Sequence, residues 1–308
     1  MKEEVKNTVI KFVITSISLT FVVILFYFYT MITSVQNNEL ISGVKPQKNE
    51  DINILLVGMD IGDIENKYNY SARRTDTIMV LNYDCLNEEV KLVSIPRDTL
   101  IEVNMDKAEG INKEKWKINA AYALGGEEEL VMQVENILGL NINYIFEINY
   151  QAFRDIIDAI GGVELTIEQD MYYDDDAQNL HINFKEGEVV NLNGEKAEEF
   201  FRWRQNNDGT GFENGDIDRI AHQQKFMNVI IDKLLDKSNI VRLPKLFKVI
   251  LDNVETNMPL KEMVSLGNKL RKLNKEDFQM KCIYWEYADV DGQSFVVTDI
   301  EENKKIFK

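Results

Sequence analysis

The chain has 308 residues, 44% of them hydrophobic and 28% charged, a composition typical of a folded protein. Asp and Glu total 52 against 35 Lys and Arg, and the resulting formal net charge of −17 excludes general binding to nucleic-acid backbones, which such a surface repels. Two cysteines and two histidines exclude a disulfide framework and a cysteine-based zinc site.

The first predicted element is a transmembrane helix at residues 12–32. This run of 21 uncharged residues is dominated by Phe, Val, Ile and Leu, and as a helix it spans roughly 30 Å, the thickness of a bilayer core. The alternative, a cleaved signal peptide, requires a shorter apolar region and a cleavage site of small residues, which residues 31–35 provide poorly. Three lysines precede the run, which weakly favours a cytoplasmic N-terminus at residues 1–11, and we predict an extracellular linker at residues 33–50.

Residues 51–236 are predicted to form one α/β domain. Short apolar runs indicate strands, and they alternate with longer amphipathic stretches that indicate helices. The predicted strands cover residues 52–58, 77–83, 90–95, 144–148, 163–167, 280–287 and 294–298, and the predicted helices cover residues 127–138, 150–160, 217–236 and 261–273. Two polar loops are predicted, at residues 170–176 and 205–215. Residues 237–308 are predicted to be a C-terminal extension packed on the same domain.

Arginine is unevenly distributed along the chain. Six of the nine arginines fall in three short segments, although lysine is the commoner basic residue, with 26. Arginine is preferred where a planar fork must hold a phosphate or carboxylate at two points, whereas lysine suffices for a solvated charge. Any single arginine is explained equally well by an ion pair with an acidic neighbour, but six together indicate a binding site for an anion. They are Arg73, Arg74, Arg97, Arg202, Arg204 and Arg219.

The spacing of these residues supports one shared site. Arg202 and Arg204 point the same way if residues 200–204 are extended. Arg219 and Gln223 lie four residues apart on one face of a predicted helix, near its start, where free N–H groups favour an anion. The sequence therefore predicts a pocket for a phosphate group.

Two aspartates are candidates for holding a metal ion beside this phosphate. Asp60 follows the first predicted strand and Asp76 opens the second, so both lie at strand edges. Mg²⁺, or Mn²⁺ in its place, needs only one or two carboxylates when phosphate oxygens fill its other positions. The alternative for each aspartate is a role in a turn or a helix cap.

Ordered motifs over residues 53–236 resemble the LytR–CpsA–Psr family of membrane-anchored cell-wall enzymes. The motifs are LLVGMD at 55–60, RTDTIM at 74–79, LVSIPRDT at 92–99, KINAAYA at 117–123, DAIGGV at 158–163, RWR at 202–204 and GDIDR at 215–219. The resemblance implies an α/β fold in which a central mixed β-sheet is flanked by helices, with an apolar tunnel for a polyprenyl chain. The sequence departs from the family pattern at Ala120 and His222, where histidine and arginine are frequent, and both departures are expected at the rim of the site.

The resemblance also implies the family's activity, which is transfer of a glycopolymer from an undecaprenyl-pyrophosphate carrier to a peptidoglycan hydroxyl outside the cytoplasmic membrane, with release of undecaprenyl phosphate. It implies that Asp60 and Asp76 bind Mg²⁺. It implies that seven residues bind the pyrophosphate: Arg74, Arg97, Lys117, Arg202, Arg204, Arg219 and Gln223. It leaves the polymer open between teichoic acid, capsule and a glycan carried by a protein.

The expected chemistry is direct displacement at phosphorus. Arg97 and Arg219, together with Mg²⁺, are expected to stabilise the charge that builds on the leaving phosphate. Asp98 is a candidate proton acceptor, and its alternative role is to hold Arg97 in place. Two other functions stay open, a polyprenyl-pyrophosphate hydrolase and a non-catalytic membrane protein that binds a lipid carrier or has a regulatory role. Cys85 and Cys282 are expected to be unpaired thiols.

Overall fold

The computed structural model describes residues 44–47, 49–61, 73–103, 114–176 and 178–308, with the backbone alone at Asp60, Ile61, Arg73 and Arg74. The predicted cytoplasmic segment, the predicted transmembrane helix and most of the predicted linker lie outside these residues. None of the described helices is both long enough and apolar enough to span a bilayer.

Strands and helices alternate along the described residues. The strands are β1 (Ile52–Ile61), β2 (Arg73–Asp84), β3 (Glu89–Ser94), β4 (Leu100–Glu102), β5 (Lys115–Lys117), β6 (Tyr144–Asn149), β7 (Val163–Thr166), β8 (Met171–Asp175), β9 (Leu180–Phe184), β10 (Val189–Leu192), β11 (Glu255–Thr256), β12 (Phe278–Cys282), β13 (Glu286–Val290) and β14 (Gln293–Val297). The α-helices are α1 (Ala121–Leu138), α2 (Tyr150–Ile160), α3 (Gly194–Arg202), α4 (Asp216–Leu235), α5 (Leu243–Asn253), α6 (Leu260–Leu270) and α7 (Ile300–Lys304). Short 3₁₀ segments occupy Ile118–Ala120, Lys237–Arg242, Lys275–Asp277 and Lys305–Phe307.

A six-stranded mixed sheet lies at the centre, in the order β11-β6-β1-β2-β3-β12. β1 pairs in parallel with β6 and antiparallel with β2, and β12 pairs in parallel with β3. This confirms the expected mixed sheet with helices around it. The remaining strands form four two-stranded sheets, β10-β7, β13-β14, β4-β5 and β8-β9.

Apolar side chains cover both faces of the central sheet. Successive residues of a strand point to opposite faces. Leu55 therefore packs in a cluster with Val134 of α1, while Ile54 packs on the other face with Ile231 of α4. A further cluster joins α2, α3 and α4 to the small sheets around Phe226.

Local signals set the ends of α2, whose predicted bounds agree with the structure. The Asn149 side chain accepts a hydrogen bond from the backbone N–H of Ala152 (2.8 Å), which caps the first turn. Gly161 ends the helix in the left-handed region, with φ of 86°. Because Asn149 is also the last residue of β6, α2 begins at the edge of the sheet.

Two local predictions are wrong, and one condition attached to a third is not met. The predicted loop at residues 170–176 contains β8, which pairs with β9 as a hairpin. The predicted strand at residues 280–287 is divided between β12 and β13, which belong to different sheets. Residues 200–204 are not extended, because α3 continues to Arg202.

Candidate active site

A β-bulge places Asp76 at the edge of the sheet. Gly58 of β1 lies opposite Thr77 and Met59 lies opposite Thr75, so Asp76 is the extra residue on β2. A bulge of this kind bends its strand and redirects the extra side chain. A Cβ atom on Gly58 would lie 2.9 Å from the Thr77 Cβ, so only glycine fits beside the bulge without a shift.

The other candidate metal ligand lies on the neighbouring strand. The backbone of Asp60 pairs with that of Arg74, two residues before Asp76. The side chains of Asp60 and Arg74 lie outside the described part of the structure, so their predicted roles stay predictions.

Arg97 connects the sheet edge to the start of α4. It follows β3 and donates a hydrogen bond from its guanidinium to Asp76 (2.9 Å). Its backbone N–H donates to Asp216, the first residue of α4 (2.9 Å), and its Nε lies 3.4 Å from the same carboxylate. These bonds hold Arg97 between two carboxylates.

Arg219 is the most deeply buried cation of the site, at 4% exposed. It forms an ion pair with Asp216 one turn earlier on α4 and donates to the backbone carbonyl of Asp76 (3.1 Å). Burial lowers the pKa of Arg219 to about 10, although Asp216 acts in the opposite direction. At neutral pH the Arg219 guanidinium therefore stays charged, although removing that charge from water costs free energy.

Arg202 and Arg204 reach the same cavity from the C-terminus of α3. Arg204 donates to Asp76 (3.0 Å), the carboxylate that Arg97 also contacts. Arg202 donates to Glu198 (2.9 Å), and its guanidinium carbon lies 4.4 Å from the centre of the Tyr150 ring. The two arginines converge even though the segment is not extended, because Trp203 ends the helix between them with extended ψ of 139°.

Lys117 belongs to the site through Asp98. The Lys117 Nζ lies 3.1 Å from the Asp98 carboxylate, and the Arg97 Nε lies 3.9 Å from it. Gln223 is buried and lies on the cavity wall one turn after Arg219. Asp98 thus holds Lys117 more closely than it holds Arg97.

Apart from Lys117, which reaches the site only through Asp98, these side chains line one cavity of about 700 Å³. Its charged and polar lining includes Asp76, Arg97, Asp98, Arg202, Arg204, Asp216, Arg219 and Gln223. The rest of the wall is largely apolar and includes Leu56, Met79, Ile148, Phe153, Phe201 and Met227. The cavity opens where the parallel strands β1 and β6 end, the usual position of a ligand in an α/β sheet. The four arginines at 97, 202, 204 and 219 therefore face one cavity.

The charges of the site are strongly coupled. Burial acts against the charge on Asp76, but Arg204 and Arg97 lie close enough to hold the pKa of this carboxyl below its usual value. Burial also acts against Arg97, yet Asp76 and Asp216 raise the pKa of its guanidinium. Asp76 and Arg97 therefore stay ionised at neutral pH, and the clustered arginines form a preorganised site for an anion with several oxygens.

Asp216 is the site residue that sequence reasoning missed. Its side chain is 5% exposed and contacts both Arg97 and Arg219. An aspartate in the first turn of a helix is ordinarily explained by the helix dipole, so its position alone does not single it out. The signal available in the sequence was its place three residues before Arg219, within one helical turn.

His222 does not lie at the rim of the site, contrary to expectation. It is buried, its ring centre lies 4.2 Å from that of Phe200, and its Nε2 lies 2.9 Å from the Phe200 backbone carbonyl. Burial lowers the pKa of His222, so the ring is a neutral part of the aromatic core behind the cavity. This departure from the family pattern changes the packing behind the site and adds no charge to its rim.

The cysteines are free, as expected. Cys85 and Cys282 are both partly buried and form no disulfide. Burial raises the pKa of the Cys282 thiol to about 12, which makes it a poor nucleophile at neutral pH.

Comparison with known proteins identifies similar sequences over most of the chain. The LytR_cpsA_psr family matches residues 24–308. The polyisoprenyl-teichoic acid–peptidoglycan teichoic acid transferase TagV of Bacillus subtilis is 31% identical over 239 residues, which are 77% of this chain and 58% of that protein. The corresponding transferase TagU of Bacillus anthracis is 33% identical over 248 residues, which are 80% of this chain and 73% of that protein.

The fold agrees with a solved relative. The crystal structure of Bacillus subtilis TagV superposes with a TM-score of 0.66 at 29% identity, covering 84% of this chain and 95% of that one. The chain nevertheless spans only 58% of the full length of TagV.

Proposed function

The chain belongs to the LytR–CpsA–Psr family, and from that premise we propose that it is a transferase that moves a glycopolymer from an undecaprenyl-pyrophosphate carrier to a peptidoglycan hydroxyl. The similar proteins TagV and TagU are named as polyisoprenyl-teichoic acid–peptidoglycan teichoic acid transferases. Teichoic acid is therefore the first polymer to test. We further propose that the predicted anchor at residues 12–32 holds the domain at the outer face of the cytoplasmic membrane.

One observation carries the proposal. The guanidinium groups of Arg97 and Arg204 and the buried Arg219 converge on Asp76 in a cavity whose other walls are apolar. Clustered arginines suit the dense charge of a diphosphate, and apolar walls suit a hydrocarbon chain. A polyprenyl diphosphate combines both chemistries in one molecule.

The proposed reaction is a displacement at phosphorus. The oxygen of a peptidoglycan hydroxyl attacks the phosphorus that bears the polymer, and the bond from that phosphorus to the bridging oxygen breaks. Undecaprenyl phosphate leaves with the bonding electrons, and the product is a phosphodiester between polymer and glycan. Arg97 and Arg219 stabilise the charge that accumulates on the leaving phosphate.

We assign the proton of the attacking hydroxyl to Asp98. Among the three described carboxylates of the cavity, Asp76 and Asp216 each contact two arginines. Asp98 contacts Lys117 at 3.1 Å and has Arg97 only at 3.9 Å. Its carboxylate is therefore the least engaged of the three, and its contact with Lys117 keeps it oriented.

The donor atoms at the sheet edge fit a hard divalent cation. The Asp76 carboxylate lies on the cavity wall, and its low pKa keeps it charged. Each of its oxygens accepts one hydrogen bond from an arginine, which leaves lone pairs for a cation. We propose that Asp76, with Asp60 on the adjacent strand, binds Mg²⁺ or Mn²⁺. Such an ion would neutralise part of the charge of the diphosphate.

The test is a transfer assay with the detergent-solubilised full chain, a synthetic polyprenyl-pyrophosphate glycan, peptidoglycan fragments and Mg²⁺, with products identified by mass spectrometry. We expect a polymer–peptidoglycan phosphodiester and free polyprenyl phosphate. Arg97→Ala should lower the rate roughly 100- to 1000-fold, the effect of losing one charge-stabilising donor. The control Arg271→Ala removes an exposed arginine and should stay within about twofold.

Two results would contradict the proposal. Release of polyprenyl phosphate with water in place of the glycan would indicate a hydrolase. Binding of the lipid that survives Arg97→Ala, without any turnover, would indicate a non-catalytic carrier protein.

A further inference from the structure

Residues 237–251 differ in charge from the rest of this acidic chain. They contain four basic residues and no acidic one, and the nearest acidic neighbours in sequence are Asp236 and Asp252. The basic residues are Lys237, Arg242, Lys245 and Lys248. We call residues 237–251, which comprise a 3₁₀ segment and most of α5, the basic-apolar surface.

This surface also exposes aliphatic side chains. Val241 is 79% exposed and Ile240 is 48% exposed. No residue of the 3₁₀ segment or of α5 is fully buried. Exposed aliphatic residues bordered by lysine and arginine are typical of segments that lie in the interface of a membrane.

Most of the positive charge here is not neutralised within the protein. Lys237, Arg242 and Lys245 form no ion pair with any residue that the structure describes, whereas Lys248 pairs with Asp252. The Arg242 guanidinium packs over Gly161, where a Cβ atom would overlap it. Three cations are therefore available to an external anion.

The basic-apolar surface lies at the end of the molecule opposite the arginine cavity. α4 begins at the cavity with Asp216 and extends roughly 30 Å before the 3₁₀ segment follows it. Because the chain reverses direction at Asn149, the end of α2 lies near the level of the start of β6. Arg242 packs against this end of α2, at Gly161. Asn143, just before β6, donates a hydrogen bond to the backbone carbonyl of Val44 (2.7 Å).

The position of Val44 connects this end to the predicted anchor. Residues 33–43 separate Val44 from the predicted transmembrane helix, and a chain of that length spans at most about 40 Å. The predicted anchor therefore enters the bilayer within about 40 Å of Val44, which lies at the same end of the molecule as the basic-apolar surface.

From charge, exposure and position, we propose that the basic-apolar surface docks on the anionic headgroups of the bilayer, with Ile240 and Val241 in the boundary region below them. The inference rests on the proposed membrane anchor. Docking would fix the orientation of the domain relative to the bilayer that holds the proposed lipid-linked donor. It assigns a lipid-binding role to residues outside the catalytic cavity.

The test uses the full chain in nanodiscs of phosphatidylcholine, with or without about one third phosphatidylglycerol, and follows amide hydrogen exchange by mass spectrometry. We expect slower exchange over residues 237–251 in the anionic discs only. Each lysine near an anionic surface contributes roughly a factor of five in occupancy, so Lys237→Glu with Lys245→Glu should abolish the protection. Ile240→Ser with Val241→Ser should weaken it without changing the charge.

A matched control makes the same charge change elsewhere. Lys185→Glu with Lys225→Glu alters exposed lysines on another part of the surface and should leave the protection intact. The unfolding midpoint of each variant in detergent checks that the fold is retained. Co-elution with the discs reports the anchor separately, so a failure of docking is distinguishable from a failure of the anchor.

Three outcomes would overturn the inference. Equal exchange in neutral and anionic discs would show that anionic lipid does not bind here. Protection that grows with the number of chains per disc would indicate a second copy of the chain as the occupant. Protection by soluble polyphosphate in neutral discs would indicate an anionic polymer.

Discussion

Replacing Arg219 by methionine should stabilise the ligand-free protein and weaken its binding of pyrophosphate. Arg219 is 4% exposed, and burial lowers its pKa to about 10. A guanidinium whose pKa is lowered on folding is charged in both states at neutral pH, so the folded protein carries the cost of burying that charge. Methionine fills a similar volume without the charge.

The expected change in the free energy of unfolding follows from the pKa of Arg219. A fall in pKa from an ordinary value of about 12.5 to about 10 corresponds to a cost of about 3 kcal/mol for the charged form. This cost already includes the attraction of Asp216. Asp216 keeps the backbone N–H and Nε of Arg97 as partners in the variant. Arg219→Met should therefore raise the free energy of unfolding by up to about 3 kcal/mol. The gain should shrink as the pH rises through 10, where the parent loses the buried charge.

Urea unfolding of the detergent-solubilised chain measures the first effect, followed by tryptophan fluorescence, to which the buried Trp203 contributes. Calorimetric titration with pyrophosphate and Mg²⁺ measures the second, for which loss of a charge-assisted hydrogen bond predicts roughly 10- to 100-fold weaker binding. Arg271→Met, at an exposed position, should change neither quantity. A variant that is less stable than the parent and binds pyrophosphate equally well would refute the reasoning.

Because the pKa of Asp76 is lowered on folding, its contribution to stability is present above pH 3.8 and is lost as the pH falls further. Asp76→Asn should remove this pH dependence in acid unfolding. It should also lower the free energy of unfolding at pH 7 by roughly 1–3 kcal/mol. Gly58→Ala places a Cβ atom 2.9 Å from the Thr77 Cβ, so it should shift the bulge, cost roughly 1–3 kcal/mol in thermal unfolding and weaken pyrophosphate binding. Cys282, with a pKa of about 12, should resist iodoacetamide at pH 8 in the native chain and react after unfolding, as followed by intact mass.

The central sheet was predictable because its strands are continuous apolar runs. β1, β2, β3 and β6 all lie where such runs predict them. The hairpin of β8 and β9 was not predicted, because four aspartates in residues 170–176 are typical of a solvated loop. β9 nevertheless shows an alternation of buried residues at Leu180, Ile182 and Phe184. That alternation is the signal typical of a half-buried strand.

The site was predictable by residue type but not by local geometry. The unusual clustering of arginine pointed to Arg97, Arg204 and Arg219, and the structure brings them together. The bulge at Asp76 depends on a one-residue shift between two strands, which no single segment encodes. The convergence of Arg202 with Arg204 likewise depends on where α3 ends, which is decided by packing rather than by spacing.

The cavity is polar near the starts of α2 and α4 and apolar farther along both helices. Arg219 and Gln223 occupy the first turns of α4 and give the cavity its polar part, while Met227, one turn later, belongs to its apolar wall. α2 repeats the arrangement, since Tyr150 at its start lies against a guanidinium and Phe153 on the next turn lies on the apolar wall. An inorganic diphosphate can contact only the first part of this gradient, whereas a diphosphate that carries a polyprenyl chain contacts both. We therefore predict that the site binds a lipid-linked diphosphate more tightly than inorganic pyrophosphate, because α2 and α4 begin at a common level.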